Sequence, residues 1–139
     1  MKYFRKSRKT VLPILALVLI VGLVISRVFN KPSTVLIPEA SIETVDALQF
    51  VGSVMEVCGD VVSAETVFHL RGEPTFINFG RPHPNQEFTA VLWAQERNRH
   101  SFPTEFELVN RRVCITGRIE DHNGTPQIRI RKPIQVAIQ

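Results

Sequence analysis

The alternation of apolar and polar residues is most regular between Arg111 and Lys132. Two stretches there, 113–119 and 128–130, place an apolar or small residue at every second position, with polar or basic residues between. A period of two is typical of a β-strand with one buried face. Between them lies Asp121-His122-Asn123-Gly124, in which Asn and Gly tolerate positive φ. The pattern predicts a β-hairpin, which needs further strands to bury its apolar face.

Earlier stretches supply these further strands. Residues 55–62, 75–79 and 88–94 have the composition and alternation of strands, and loops rich in Gly and Pro separate them. Pro103 can open a short helix over residues 104–108. Five strands with one short helix between the third and the fourth follow the element order of an OB-fold. The predicted fold class is therefore all-β, a five-stranded OB-fold Greek-key barrel.

The N-terminus has a different pattern, in which residues 2–9 are basic and Val11 to Ser26 contains no charged residue. This run is short for a bilayer span of ~20 apolar residues. Val28 and Phe29 extend it, however, because an arginine at position 27 can reach the interface. We predict a single retained transmembrane helix. A cleaved signal peptide and a buried core helix are the alternatives, and the exit Ile-Ser-Arg-Val-Phe-Asn is a poor cleavage site.

This pattern also predicts topology and domain organisation. The basic tip favours a cytoplasmic N-terminus, so the rest of the chain would be extracytoplasmic, on the outer side of the cell membrane. Residues 1–29 are then the tip and anchor. Residues 30–48 are predicted to be a linker because Pro32 and Pro38 break any periodicity, although a short amphipathic turn over residues 42–48 remains an alternative. Residues 49–139 form the OB-fold domain.

The charge of the chain is unevenly distributed, so its overall pI of about 9.5 is misleading. Five of the 17 Lys and Arg residues lie in the first ten positions. The rest of the chain contains the other 12 together with all 13 Asp and Glu, so its net charge is −1. The bulk of the chain is therefore not a strongly basic domain, and its overall pI is no evidence for nucleic-acid binding.

Three segments carry a resemblance to a known group of proteins: VCGDVVS, GEPTFINFGRPHPNQEFTAVLW and VCITGRIEDHNGTPQIRI. They resemble small bacterial OB-fold proteins related to nucleic-acid-binding OB domains of the tRNA-anticodon-binding type. The resemblance covers about residues 50–133. It implies the barrel fold and favours single-stranded nucleic acid as the ligand, although OB domains also bind glycans and proteins.

Cys58 and Cys114 are the two cysteines of the chain. The first and fourth strands of an OB barrel are neighbours, and both cysteines fall on the polar side of the alternation. Outside the cytoplasm such a pair would oxidise, so we predict a disulfide. The alternative is a pair of unbridged, buried cysteines. Their spacing matches no metal or redox motif, and we predict no metal site.

A binding surface is predicted from aromatic and basic residues on strand faces. Phe76 shares its parity with Asn78 and is therefore expected on the outer face, where an aromatic ring can stack on a base; Trp93 is a second candidate. Arg118, Arg129 and Arg131 fall on polar strand faces and would follow a phosphate backbone. The alternative for the aromatic residues is that their rings fill the barrel core. The alternative for the arginines is a solvated strand face that also deters pairing with another strand.

The sequence gives no sign of catalysis or of a cofactor. His69, His83, His100 and His122 fall on predicted loops, where histidines are usually solvated, and no nucleophile, phosphate-loop or metalloprotease motif is present. We predict that the protein is not an enzyme. Two functions follow from the sequence. One is a membrane-anchored, exported module that binds single-stranded DNA or RNA, and the other is an envelope interaction or scaffolding protein that binds a protein or a glycan.

Overall fold

The computed structural model describes residues 36–139 of the chain. The predicted anchor lies outside these residues. Among the described residues, no helix is long and apolar enough to cross a membrane.

In the part of the chain that the structure describes, seven strands make up the β-structure, and five of them form a closed barrel. The barrel strands follow the order β2-β3-β4-β6-β5, and a ladder between β2 and β5 closes it. The β4–β6 ladder is parallel, and the other four barrel ladders are antiparallel. This arrangement is consistent with an OB-fold. The strands are β1 Ser41–Glu43, β2 Val54–Thr66, β3 Thr75–Phe79, β4 Phe88–Leu92, β5 Arg112–His122, β6 Thr125–Ile130 and β7 Val136–Ile138.

The predicted hairpin is confirmed. Its inward positions are buried in both strands, and Asn123 and Gly124 form the turn with φ of 53° and 86°. The Asp121 carboxylate accepts a hydrogen bond from the Gly124 amide at 2.8 Å, which holds the turn closed. Thus the two residues that tolerate positive φ occupy the positions that require it.

The core fills the barrel with aliphatic side chains and two aromatic rings. Phe79 and Phe88 lie opposite each other at the start of the β3–β4 ladder, and their ring centroids are 5.3 Å apart in an edge-to-face arrangement. Both rings are fully buried. These two phenylalanines therefore support packing and are not free to bind a ligand.

Short helices pack onto the barrel and add Ala47 and Leu108 to its core. The helix Glu105–Leu108 carries Leu108 and lies between β4 and β5, as predicted. A 3₁₀ helix, Thr44–Phe50, carries Ala47. The remaining short elements are the helical turn Ala94–Arg97 and the 3₁₀ turn Pro133–Gln135.

The structure differs from the predicted linker over residues 41–48. β1 pairs in parallel with β2, and Thr44 and Ala47 of the 3₁₀ helix are buried. Gly59 on β2 makes this packing possible, because a Cβ there would lie 2.6 Å from the Thr44 methyl carbon. The fold therefore begins before residue 49.

The disulfide between Cys58 and Cys114 is confirmed. The two residues are directly opposite each other in the β2–β5 ladder that closes the barrel. β1 and β7 flank this ladder, since Glu43 is the partner of Cys58 and Ala137 the partner of Cys114. The bridge thus joins the two strands whose pairing completes the barrel.

We expect loss of the disulfide to destabilise the domain substantially. Replacing both cysteines with alanine releases a loop of 56 residues in the unfolded chain, which predicts a loss of about 2–4 kcal/mol. Urea unfolding of residues 36–139, followed by circular dichroism, measures this difference. The same loss should appear when the wild-type domain is reduced. Two alkylatable thiols in the folded domain, purified without reductant, would contradict the prediction.

Candidate nucleic-acid interface

The outer surface of β3, β4 and β6 carries two parallel rows of side chains. In the first row, Glu65 of β2, Phe76, Val91 and Arg129 are successive cross-strand partners. Residues directly opposite each other on neighbouring strands have adjacent side chains. Phe76 therefore lies on the outer face, as its parity predicts, and it is half-buried.

The second row lies two residues along each strand and is polar. Ser63, Asn78, Thr89 and Gln127 are its cross-strand partners. The Asn78 amide donates to the Ser63 hydroxyl at 3.1 Å, and the Thr89 hydroxyl donates to the Asn78 Oδ1 at 3.1 Å. These bonds fix Asn78 and Thr89 in place, so this part of the surface is preorganised.

A cleft of about 540 Å³ lies over these rows. Three connections form its walls: the loop between β2 and β3, the loop between β3 and β4, and the β5–β6 turn. The lining residues are Glu65, Val67, Leu70, Phe76, Asn78, His83, Pro84, Gln86, Thr89, His122, Asn123, Thr125 and Gln127. Strands two and three of an OB barrel, here β3 and β4, together with the loops beside them, are the usual binding face of this fold.

The described lining of the cleft combines neutral hydrogen-bonding groups with apolar side chains, namely Phe76, Val67, Leu70 and Pro84. Its lining contains four amide side chains, two threonines and two histidines, and Glu65 is its only carboxylate. It contains no lysine or arginine. Within the described residues, the buried Oε1 atom of Gln86 has no hydrogen-bond partner. An unpaired buried acceptor is costly, so this amide is a candidate contact for a ligand.

Arg129 and Trp93 lie beside the cleft and contact each other. The Arg129 guanidinium carbon is 5.8 Å from the centroid of the Trp93 ring, a cation–π geometry, and its Nη2 atom is 3.8 Å from the Glu96 carboxylate. The same ring packs closely on Gly72, where a Cβ would lie 2.8 Å from Cε3. Trp93 therefore orients Arg129 and covers the β2–β3 loop, and neither residue lines the cleft.

The ladders separate the three predicted arginines. Arg118 is exposed and pairs with Val54 of β2, and its guanidinium donates to the carbonyl of Gly52. The β5–β6 ladder begins only at Ile119, and Arg131 follows the end of β6. Of the three, Arg129 alone belongs to the row that contains Phe76.

Loop residues account for the part of the cleft that the strand pattern does not predict. Gln86 and His83 come from the β3–β4 loop, whose Pro-rich sequence has no periodicity. Phe68, which is 73% exposed, lies between the cleft residues Val67 and Leu70. The apolar residues in the loop sequence Val-Phe-His-Leu, at positions 67–70, were the feature of the sequence that could have indicated a binding surface on this loop. Of the four histidines, His83 and His122 line the cleft, whereas His69 and His100 do not.

A second cavity of about 290 Å³ lies beside the helix Glu105–Leu108. The Thr66 hydroxyl donates to the Glu105 carboxylate at 2.6 Å and contacts the Thr75 hydroxyl at 2.7 Å. Arg97 donates to Thr75 at 2.8 Å. The pKa of Glu105 is lowered, chiefly by the hydrogen bond from Thr66. This chain of bonds ties the helix to the barrel, which is a structural role.

Among the described residues, Glu56, Cys58 and Cys114 form the one group with spacing suited to a metal ion. Both sulfur atoms belong to the disulfide. Metal ions bind cysteine as the thiolate, so the bridged pair does not provide such ligands.

No protein-family model and no curated protein sequence matches the chain. A solved structure described as a putative aspartyl-tRNA synthetase from Leishmania major Friedlin matches with a TM-score of 0.45 and 10% sequence identity. The match covers 76% of this chain and 22% of the synthetase chain, so this protein spans well under two thirds of its length.

Proposed function

We propose that this protein is a membrane-anchored, exported and non-catalytic module that binds single-stranded nucleic acid in the cleft over β3, β4 and β6. The observation that carries the proposal is the half-buried ring of Phe76 among four amide side chains. A base presents a flat π-face and an edge of donors and acceptors, and proteins read unpaired bases by stacking and by hydrogen bonds to that edge. The cleft offers both kinds of contact.

The amides differ in what they offer to a base. The Asn78 side chain is hydrogen-bonded to Ser63 and Thr89, so its role is to support the cleft floor rather than to bind the ligand. The Gln86 Oε1 has no partner among the described residues and would accept from an exocyclic amine. Gln127 is half-buried at the end of the polar row. In this proposal Gln86 and Gln127 read the edge of the base while Phe76 stacks on its face.

Charge limits how such a ligand would bind. Residues 36–139 contain ten Lys and Arg and all 13 Asp and Glu, a net charge of −3. Binding driven by phosphates requires many basic contacts, each adding about 0.7 to the salt slope for a single strand. Among the described residues, Arg129 is the one cation in the Phe76 row, so the slope should be shallow. The proposed ligand is therefore held mainly through its bases.

The first test removes the ring. Phe76→Ala should weaken binding of a single strand of about 12 nucleotides by roughly 5- to 150-fold, the loss of one stacked base. Phe76→Tyr keeps the ring and should bind like the wild type. Phe106→Ala is the matched control, because Phe106 is 93% exposed and does not line the cleft. Fluorescence anisotropy measures affinity, with urea unfolding alongside to exclude loss of the fold.

Equal affinity of the Phe76→Ala domain and the wild type, with both folded, would refute base stacking at this position. No binding of any single strand by the wild-type domain at low salt would refute the nucleic-acid proposal as a whole.

The second test concerns Arg129, the cation in the row that contains Phe76. Arg129→Gln should reduce the magnitude of the salt slope by about 0.7, the value for one phosphate contact. Arg118→Gln should leave the slope unchanged, because Arg118 belongs to the β2–β5 ladder. Affinity measured over a range of salt concentrations gives both slopes. An equal reduction for both variants would contradict the proposal that Arg129, and not Arg118, contacts a phosphate. It would favour the sequence-based hypothesis that Arg118, Arg129 and Arg131 all follow the phosphate backbone.

A neutral glycan is the second candidate ligand. The absence of lysine and arginine from the cleft lining favours it, since amides, hydroxyl groups and a ring suit a sugar as well as a base. The salt series distinguishes the two ligands. Glycan binding should be independent of salt and still depend on Phe76.

A further inference from the structure

The 3₁₀ helix Thr44–Phe50 has one buried and one exposed line of side chains. A 3₁₀ helix has three residues per turn, so residues three apart lie one above the other. Thr44 and Ala47 form the buried line. Val45, Leu48 and the following Val51 form an exposed apolar line and are 67%, 52% and 43% exposed, and the polar residues Asp46 and Gln49 form the third line. These three residues are called the apolar ridge.

Exposed apolar residues are concentrated in this part of the domain. Ten large hydrophobic residues are exposed among the residues that the structure describes, and five of them lie between positions 36 and 51. They are the apolar ridge together with Leu36 and Ile37, the latter 80% exposed. The other five are spread over the remaining sequence from Phe68 to Ile138. Isolated exposed apolar residues are ordinary, but the three residues of the ridge lie in one line on the helix and its end, which favours an interaction surface.

The position of this surface in the chain indicates its partner. The apolar run of the predicted anchor ends at Phe29, so six residues separate it from Leu36. Six extended residues reach at most about 20 Å. A membrane-embedded residue 29 would therefore hold Leu36 close to the lipid surface. Tethering of this kind gives an effective concentration of about millimolar, so even a weak contact would be populated.

We propose that the apolar ridge docks on the surface of the lipid bilayer and orients the barrel against it. Its aliphatic side chains would enter the boundary between head groups and acyl chains. The stretch from residue 36 to residue 51 contains Glu39, Glu43 and Asp46 but no lysine or arginine, so the contact depends on apolar burial rather than on anionic lipids. This inference rests on the proposed membrane placement and is independent of the cleft ligand, because the ridge shares no residue with the cleft.

The test uses the full chain reconstituted into phosphatidylcholine vesicles whose acyl chains carry bromine, a quencher of tryptophan fluorescence. Leu48→Trp reports on the ridge. Phe106→Trp is the matched control, since Phe106 is also exposed but lies on the helix between β4 and β5. The wild type, whose one tryptophan is Trp93, gives the background. The emission added at position 48 should fall at least twofold in brominated vesicles, and that added at position 106 should not change.

Each contrary result has a separate meaning. A chain that floats with the vesicles but is quenched no more at position 48 than at position 106 overturns ridge docking and leaves the anchor intact. A chain that does not float overturns the membrane placement, and the inference with it. A blue-shifted but unquenched signal at position 48 overturns it in favour of a protein contact, such as a second copy of the chain. Oligonucleotide binding, measured on the same samples, reports separately on the cleft.

Discussion

The barrel depends on the ability of β2 to pair along both of its edges. Residues 54–60 pair with β5, and residues 61–66 pair with β3, with an irregularity in register between Val61 and Ser63. Such an irregularity bends a strand and increases its twist, so the two halves of β2 can pair with different strands of the barrel. The disulfide lies within the first of these two ladders. It therefore stabilises the pairing that closes the barrel.

The geometry of the cleft follows from this closure. With β2 turned toward β3, Ser63 and Glu65 become the first members of the two rows that cross the outer face. The hydrogen bonds from Ser63 through Asn78 to Thr89 then hold part of the cleft floor in a fixed arrangement. A ligand that meets a preformed surface loses less free energy to ordering the protein. This matters for a domain whose net charge of −3 over residues 36–139 gives little attraction to an anion.

Local sequence signals predicted the barrel well, because a strand period of two and the Asn123-Gly124 turn depend on neighbouring residues alone. Parity also placed Phe76 outside and left Phe79 to the core.

The 3₁₀ helix was read as linker because its buried line consists of Thr44 and Ala47, too small to give an apolar pattern. The positions of the three arginines relative to one another could not be predicted, for another reason. Alternation gives the face of a strand, but the residue at which β5 changes its partner from β2 to β6 is a tertiary property. Gln86 was beyond prediction because a loop has no period.

The most direct measurement of the central claim is a map of amide chemical shifts in residues 36–139 during titration with a short single-stranded oligonucleotide. The account predicts that the shifts concentrate at Phe76, Gln86, Thr89, His122 and Gln127, which line one cleft. Residues of the β1–β2 and β5–β7 ladders should change little. Shifts centred on those ladders, or no shifts at an oligonucleotide concentration of about 1 mM, a weak limit for specific binding, would contradict it.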